Sequence, residues 1–531
     1  MAPPDSQTIE TATTAVQTGA PDAKTRRYDR QLRLWAATGQ AALESARVLV
    51  VGASATSTSI LKNLVLPGIG HFTVLDPLFV SGADAGNNFF LDGPSSIGKN
   101  RAQEAVPLLL ELNDGVEGKS DTRSLAEVIE KDPEWILGFT LVIAHNVPKG
   151  EMDALSALLW TARERGPALI TVRSAGFLAE FGIQFDQHDI IESHSETAPS
   201  LRLDSPFPAL LDAALAVDFE GIDETEHAHI PYALILVRAM HDWKAAHDGQ
   251  PPKAYADKNA FKDALGAMKK KPDEENFDEA LAQAYRTWSA TTLPSSLTSL
   301  FDSIPEPLPE GASPFTHLVA ALKKFVTAND GFLPVTASVP DMKADTTSFV
   351  ALQRLYRAQA EKDAQTFKTF LAPGAPVNDE VVALFLKNAH AVQRLTGVRW
   401  GTLDEDKAKL AELLQIYPRE TATHLAITSL WNWAATHPAA AAGGQEIRPS
   451  AEEIETLVRG MLTPGAEVPE EEISNACGEI ARAPTADLPN VAAFLGGLVA
   501  QEAIKMITKQ YVPIAGVCVA DLVETWTGVL A

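Results

Sequence analysis

Residues 46 to 52, ARVLVVG, form a short apolar run rich in β-branched side chains that stops at Gly52. The run predicts a buried strand over 47–51 entering a tight turn. Helix-forming residues follow over 56–66, and HFTVLD then restores the strand signal and closes on Asp76. A helix over 99–112 (KNRAQEAVPLLLEL), the apolar run FTLVIAHN at 139–146, a helix near 151–165 and the strand ALITVRS continue the alternation. Strands and helices that alternate in this way predict an α/β unit with a mainly parallel sheet over the first 175 residues. Ahead of it, RRYDRQLRLWAATGQAALESA reads as helix with a break at Gly39.

From about residue 177 the rhythm changes. Residues 205–470 are dominated by helix-period segments between Pro- and Gly-rich breaks such as SIPEPLPEGASP and HPAAAAGGQEIRPS, and the Ala-Gly run at 439–444 reads as a surface loop. In PFTHLVAALKKFV, the residues Phe315, Leu318, Val319, Leu322 and Val326 fall on one helix face. Near the end, NVAAFLGGLVAQEAIKMITKQ predicts a long helix with Phe494, Leu495, Leu498 and Val499 on one face, and Gly496-Gly497 permits close backbone contact. YVPIAGVCVADL after it alternates like a strand. A helix this apolar needs a sheet to cover it, and the available sheet lies in the first 175 residues. The expectation is therefore a mobile tail over 1–25, an α/β domain in two parts at 26–176 and 481–531, and a mainly helical insertion over 177–480.

Bulk properties narrow the function. A chain of 531 residues exceeds one ordinary core. Its net charge of −25 argues against nucleic acid, whose binding needs clustered Lys and Arg, and against anionic membrane surfaces. The acidity fits solubility and also fits steering of a basic partner. Two cysteines, Cys477 and Cys518, with no CxxC pair, exclude a four-cysteine zinc cluster and suit a reducing compartment, cytoplasmic or nuclear. The N-terminus carries no apolar signal core and no Arg-rich amphipathic pattern. No apolar run is read as reaching the roughly 20 residues that span a bilayer.

The turn at Gly52 bears on chemistry. A dinucleotide-type G-x-G-x-x-G turn uses its glycines for the bend, for close approach of the phosphates and for helix packing. Here it reads Gly52-Ala-Ser-Ala-Thr-Ser57, so only Gly52 remains, and Ser54 and Ser57 put side chains where a ligand or backbone would come close. The order strand, glycine, helix, Asp76 fits an NAD-linked oxidoreductase, and it fits an α/β unit with an ordinary turn.

Three segments are more specific: YDRQLRLWAATGQAALESARVLVVG, LVLPGIGHFTVLDPLFVSGADAGNNFFLDGPSSIGKNRAQEA and VAAFLGGLVAQEAIKMITKQYVPI. Together they resemble the ThiF-type adenylation fold of the ubiquitin-activating (E1) family, and within it the regulatory, non-cysteine subunits of NEDD8-activating enzymes. IESHSE, LRLDSPFP, DEENFDEA and LPVTASVPDMKADT carry the resemblance through the helical middle. It implies a Rossmann-like fold split by a helical insertion. It also implies a place in acyl adenylation, where a ubiquitin-like protein's carboxylate attacks ATP and a cysteine then captures the acyl group as a thioester.

Carried over residue by residue, the resemblance implies a degenerate pocket. Asp76 matches the acid that binds ribose, but Leu78 replaces a second acid and Asp84 stands at an Asn. Asn87 stands where a phosphate-binding Arg belongs. Arg101 retains a cation at a lysine position, and helix packing or a salt bridge accounts for it equally well. The stretch Leu141 to Val147 lacks the family's metal-binding Asp; His145 and Asn146 cannot supply the anionic oxygen that Mg2+ prefers. The remnants Gly52, Asp76 and Arg101 thus imply no cofactor or metal in this chain, with ATP and Mg2+ held by the partner subunit.

Arg30 of YDRQ matches an arginine that reaches across the family's pseudo-symmetric dimer into the partner's ATP site; a solvated or salt-bridged arginine is the alternative. The flanks of Cys477 and Cys518 do not resemble a catalytic-cysteine segment. The implied partners are a cysteine-bearing E1 subunit, a NEDD8-type modifier and its conjugating E2. A self-sufficient ThiF-type adenylating enzyme and the NAD-linked oxidoreductase are the competing readings.

Overall fold

The computed structural model describes residues 22–437 and 448–531. The predicted loop at 439–444 and most of the predicted tail lie outside them. Within them the chain forms two compact units, one of residues 189–393 and one of 22–188 together with 394–531.

The second unit is built on an eight-stranded sheet. Its strands are β1 (Arg47–Val51), β2 (His71–Leu75), β3 (Glu117–Asp121), β4 (Leu141–His145), β5 (Ala168–Ala175), β6 (Leu178–Gln184), β7 (Val517–Asp521) and β8 (Trp526–Leu530), in the order β8-β7-β6-β5-β4-β1-β2-β3. β5, β4, β1, β2 and β3 run parallel, and β6, β7 and β8 are antiparallel additions. Val48 of β1 lies opposite both Phe72 and Leu141. Central parallel strands are covered on both faces, so β1 and β4 are continuous apolar runs rather than alternating ones. The edge strand β3, EGKSD, is polar and open to solvent, as suits an edge, and carries no apolar signal that predicts it.

Between β1 and β4 the strand order reverses. The chain steps outward through β2 and β3 and then returns to the other side of β1, leaving a crevice at the carboxyl ends of these two strands. Helix α2 (Ala55–Val65) starts there, and α8 (Pro489–Thr508) packs along it. The buried face of α8 is Val491, Ala492, Leu495, Gly496, Val499, Ala500 and Ala503. It is thus rotated from the expected one, with Phe494 and Leu498 only partly covered. Of the two glycines, Gly496 makes the close contact: a Cβ there would lie 2.3 Å from Ser59 Oγ and 3.0 Å from its carbonyl carbon, while Gly497 faces open space. Gly496→Val should therefore push α8 off α2 and destabilise the fold by about 1–3 kcal/mol. A urea midpoint equal to that of the unaltered chain would contradict this packing.

Four expectations change. Residues 22–25 are not tail: Asp22 accepts the Thr25 N–H and caps a short helix, Ala23–Arg27. The helix after it, α1 (Asp29–Ser45), breaks at Trp35 and Ala36, where Ala36 has φ +54, and not at Gly39. The insertion is 189–393 rather than 177–480, because β6 is a fully buried strand turned back from β5 at Gly176 (φ +59), and the helices beyond 394 return to the sheet. Among these, α6 (Pro418–Thr436) packs on β6, β7 and β8, and α7 (Glu470–Arg482) packs on α6. Finally, α8 is long and apolar enough to cross a membrane by length and composition; here its apolar face is covered by α1 and α2.

The helical unit holds two apolar clusters. One gathers Leu201, Phe207, Leu236, Phe261, Phe277 and Tyr356, the other Leu300, Phe325, Phe367 and Phe385. The predicted helix face is present: Phe315, Leu318, Val319, Leu322 and Val326 are all buried on α5 (Pro314–Ala328).

Candidate functional site: a nucleotide crevice closed from within

The crevice between β1 and β4 is built by four segments, and each fills it with the chain's own groups. Gly52 has φ +91, a conformation that strains any residue with a Cβ, so the bend after β1 needs glycine. The next amide, Ala53 N–H, donates to Asp76 Oδ2 at 2.6 Å. Ser54 caps α2, its Oγ accepting from Ser57 N–H at 3.1 Å. The same hydroxyl lies 2.7 Å from His145 Nδ1, and His145 Nε2 lies 2.9 Å from Ser174 Oγ. Burial holds the His145 imidazole below its ordinary pKa, so the ring between these two hydroxyls is neutral.

The start of a helix presents unpaired N–H groups and partial positive charge, which makes it a phosphate site. Here a carboxylate of the chain already lies there. Asp487 accepts from Thr56 N–H at 3.2 Å and from Thr56 Oγ1 at 2.6 Å. A phosphate would have to displace that carboxylate.

Asp76 is equally engaged. It is 1% exposed; Oδ1 accepts from Leu78 N–H at 2.8 Å, and Oδ2 accepts from Arg101 Nε at 2.9 Å as well as from Ala53. Arg101 adds a second contact to Asp76 at 2.7 Å and reaches Asp84 at 3.3 Å. Asp76 and Arg101 therefore neutralise each other. Salt bridging is the observed use of Arg101. The structure places Gly52, Asp76 and Arg101 at one crevice, together with Asp487 and the Ser54–His145–Ser174 chain, which the sequence did not single out. Asp487 is more than four hundred residues away in APTADLP and carries no local signal of where it closes. Asn87 ends a short helix, α3 (Gly82–Asn87), and Leu78 is 55% exposed. No group of three or more His, Cys, Asp or Glu side chains able to hold a metal occurs among the described residues.

Residues 28–144 match the ThiF family model. The chain is 35% identical over 519 residues to the NEDD8-activating enzyme E1 regulatory subunit of Xenopus laevis, covering 92% of this chain and 95% of that protein. It is 34% identical over 517 residues to the subunit of the same name from Danio rerio, with 92% and 95% covered. For that of Gallus gallus the identity is 33% over 522 residues, with 93% and 96% covered. The chain belongs to the NEDD8-activating enzyme E1 regulatory subunits.

Two further features of this regulatory subunit bear on its chemistry. A thioester-forming cysteine has to be an accessible, activated thiol. Cys477 is fully buried beside Ile473 and Ile480 on α7, and burial pushes its thiol up to about 12. Cys518 is buried in β7, and burial raises its thiol to about 11. Neither is activated. Arg30 behaves differently from every other cation discussed so far: it is exposed on the first turn of α1 and makes no ion pair or side-chain hydrogen bond with the described residues. Its neighbours fix the backbone around it. Tyr28 is buried with its hydroxyl accepting from Asn113 Nδ2 at 2.9 Å, and Arg27 pairs with Asp114.

Proposed function

We propose that this regulatory subunit supports an activation reaction whose chemistry takes place on its partner. The partner is a cysteine-bearing E1 subunit that adenylates the C-terminus of a NEDD8-type ubiquitin-like protein with ATP and Mg2+, captures it as a thioester and passes it to a conjugating E2. This chain contributes the pairing surface and Arg30, and holds no nucleotide or metal itself. The observation that carries the reading is the closed crevice, in which Asp487 occupies the start of α2 and Arg101 saturates Asp76. Its chemistry disfavours a self-sufficient adenylating enzyme and an NAD-linked oxidoreductase alike.

Surface composition supports a protein partner. Leu78, Phe79, Phe89 and Ile97 are 50–93% exposed on the segments between β2 and the helix α4 (Arg101–Leu110), and large exposed apolar side chains in one region mark an interaction surface. With 69 Asp and Glu against 44 Lys and Arg, the chain is unsuited to nucleic acid or anionic membranes. Its two buried free thiols suit the reducing cytoplasm or nucleus.

ATP–pyrophosphate exchange tests the reading. The isolated chain should catalyse none in the presence of a NEDD8-type modifier, and adding a cysteine-bearing E1 subunit should restore exchange and thioester formation. Exchange by the isolated chain at the rate of the pair would instead establish a self-sufficient adenylating enzyme.

A further inference from the structure

The helical unit contains a cavity of about 260 Å3 far from any feature used above in sequence, its walls drawn from 197–203, 285–294, 331–336 and 386–390. Two of the wall segments, LRL at 201–203 and LPVT at 333–336, belong to the stretches that carry the family resemblance through the helical middle. The activation reading gives them no task.

Arg202 distinguishes this cavity. Its backbone sits at φ +58, in the left-handed region that strains a non-glycine residue, and Ser200 Oγ accepts its N–H at 3.1 Å to hold the turn. The guanidinium lies over the Phe332 ring, 3.5 Å from its centroid, and donates no hydrogen bond to any described residue; Nε is buried and unpartnered. Asp204, Asp330 and Asp363 are near enough to affect its charge, yet none of them lines the cavity. Two of the three are committed elsewhere. Asp204 accepts from Thr291 N–H and Oγ1, both at 2.7 Å, and Asp363 accepts from Val335 N–H at 2.8 Å and Gln359 Nε2 at 2.7 Å.

The rest of the lining is suited to an anion's oxygens. Thr292 supplies a hydroxyl, those of Ser200 and Thr336 being engaged by Thr291 Oγ1 and the Ser338 carbonyl, and His390 supplies an imidazole whose Nδ1 is buried without a partner. A half-buried guanidinium costs free energy unless an anion pairs with it, and arginine's planar fork matches carboxylate and phosphate oxygens. Concavity, an unpaired cation and an unpartnered imidazole nitrogen are the parts of a small-ligand site.

We propose that this cavity binds a small ligand through a carboxylate or phosphate group, with Arg202 as the principal contact. Calorimetric titration of the full chain with inorganic phosphate and, separately, with acetyl-dialanine bearing a free C-terminal carboxylate distinguishes the two chemistries. At least one should bind with a dissociation constant of about 1 mM or tighter, and Arg202→Gln should weaken it about tenfold or more. Arg202→Lys, which keeps the charge, should weaken it less. Ala290→Trp, an exposed rim substitution that fills the cavity and spares Arg202, should also abolish binding, and it decides the matter if Arg202→Gln fails to fold. Absence of binding by the unaltered chain to either probe overturns the proposal, as does full binding by Ala290→Trp.

Discussion

Glu180→Ala should lower the stability of the α/β unit by about 3–5 kcal/mol, the cost of breaking a buried ion pair by removing one partner. Glu180 is fully buried on β6, directly opposite Arg173 of β5 in the ladder. Arg173 Nε donates to its Oε1 at 2.6 Å, and His424 Nδ1 lies 2.8 Å from its Oε2. His424 Nε2 is in turn 2.8 Å from Asp404, Arg173 Nη2 donates to Thr428 Oγ1 at 2.8 Å, and the Trp400 ring lies under the guanidinium at 4.9 Å. Two cations and two anions thus balance beneath α6, and deleting Glu180 leaves Arg173 and His424 facing a single carboxylate. Urea unfolding reads the effect as a lower midpoint; a shift under about 1 kcal/mol would mean that water or Asp404 compensates.

The same cluster predicts a pH dependence. Burial on its own lowers the His424 imidazole, but Glu180 and Asp404 outweigh it and raise the group to about 10, above its ordinary value near 6.5. A raised folded-state pKa means that the stabilisation is complete below about 6.5 and is lost as pH rises through about 10. Burial on its own raises the Glu180 and Asp404 carboxyls, but the facing cations hold both below the ordinary range, so their contribution fades only in acid. Between pH 6.5 and 10 the unaltered chain should therefore lose stability along a slope that His424→Gln removes. Parallel slopes for the two proteins would show that His424 is neutral when folded.

What the sequence makes legible is local. The β1 run, the turn at Gly52, α2 and β2 ending at Asp76 all follow from periodicity and one glycine, because neighbouring residues decide them. Periodicity reached an α/β unit with a mainly parallel sheet, and the ThiF-type fold followed from the resemblance carried by three segments of the chain. Pairing across the fold was not legible: Arg101 reads as a retained phosphate cation until its guanidinium is seen on Asp76, and Asp487 reads as a loop residue until it is seen on Thr56. The domain limits failed on a related point. A helix period shows that one face is buried but not whether helix or sheet covers it, so α6 and α7 read like the helices of the insertion. β6 was missed because LAEFGIQ, although buried along its whole length, carries Glu180, Gly182 and Gln184 and so makes no continuous apolar run like those of β1 and β4.

Arg30→Ala should reduce adenylate formation by the assembled enzyme about 100- to 1000-fold while leaving the fold and the pairing intact. The magnitude is that of removing one preorganised donor from developing transition-state charge. Most arginines of the same region are already engaged by carboxylates of this chain. Arg27 is held by Asp114, Arg33 by Asp29 and Arg101 by Asp76, whereas Arg26 and Arg30 are exposed and make no ion pair among the described residues; of these two, only Arg30 lies in the YDRQ segment that carries the resemblance. Because Arg30 makes no ion pair or side-chain hydrogen bond with the described residues, truncating it should cost little stability. A loss of exchange therefore reports on the partner's ATP. Arg30→Lys separates charge from geometry: a planar fork that bridges phosphate oxygens is poorly replaced by an ammonium, so lysine should recover only a small part of the rate. The readout is pyrophosphate exchange into ATP by the heterodimer, with gel filtration to confirm that the subunits still associate. An unchanged rate with intact pairing rejects the role; a rate loss that tracks dissociation would place Arg30 in the subunit interface.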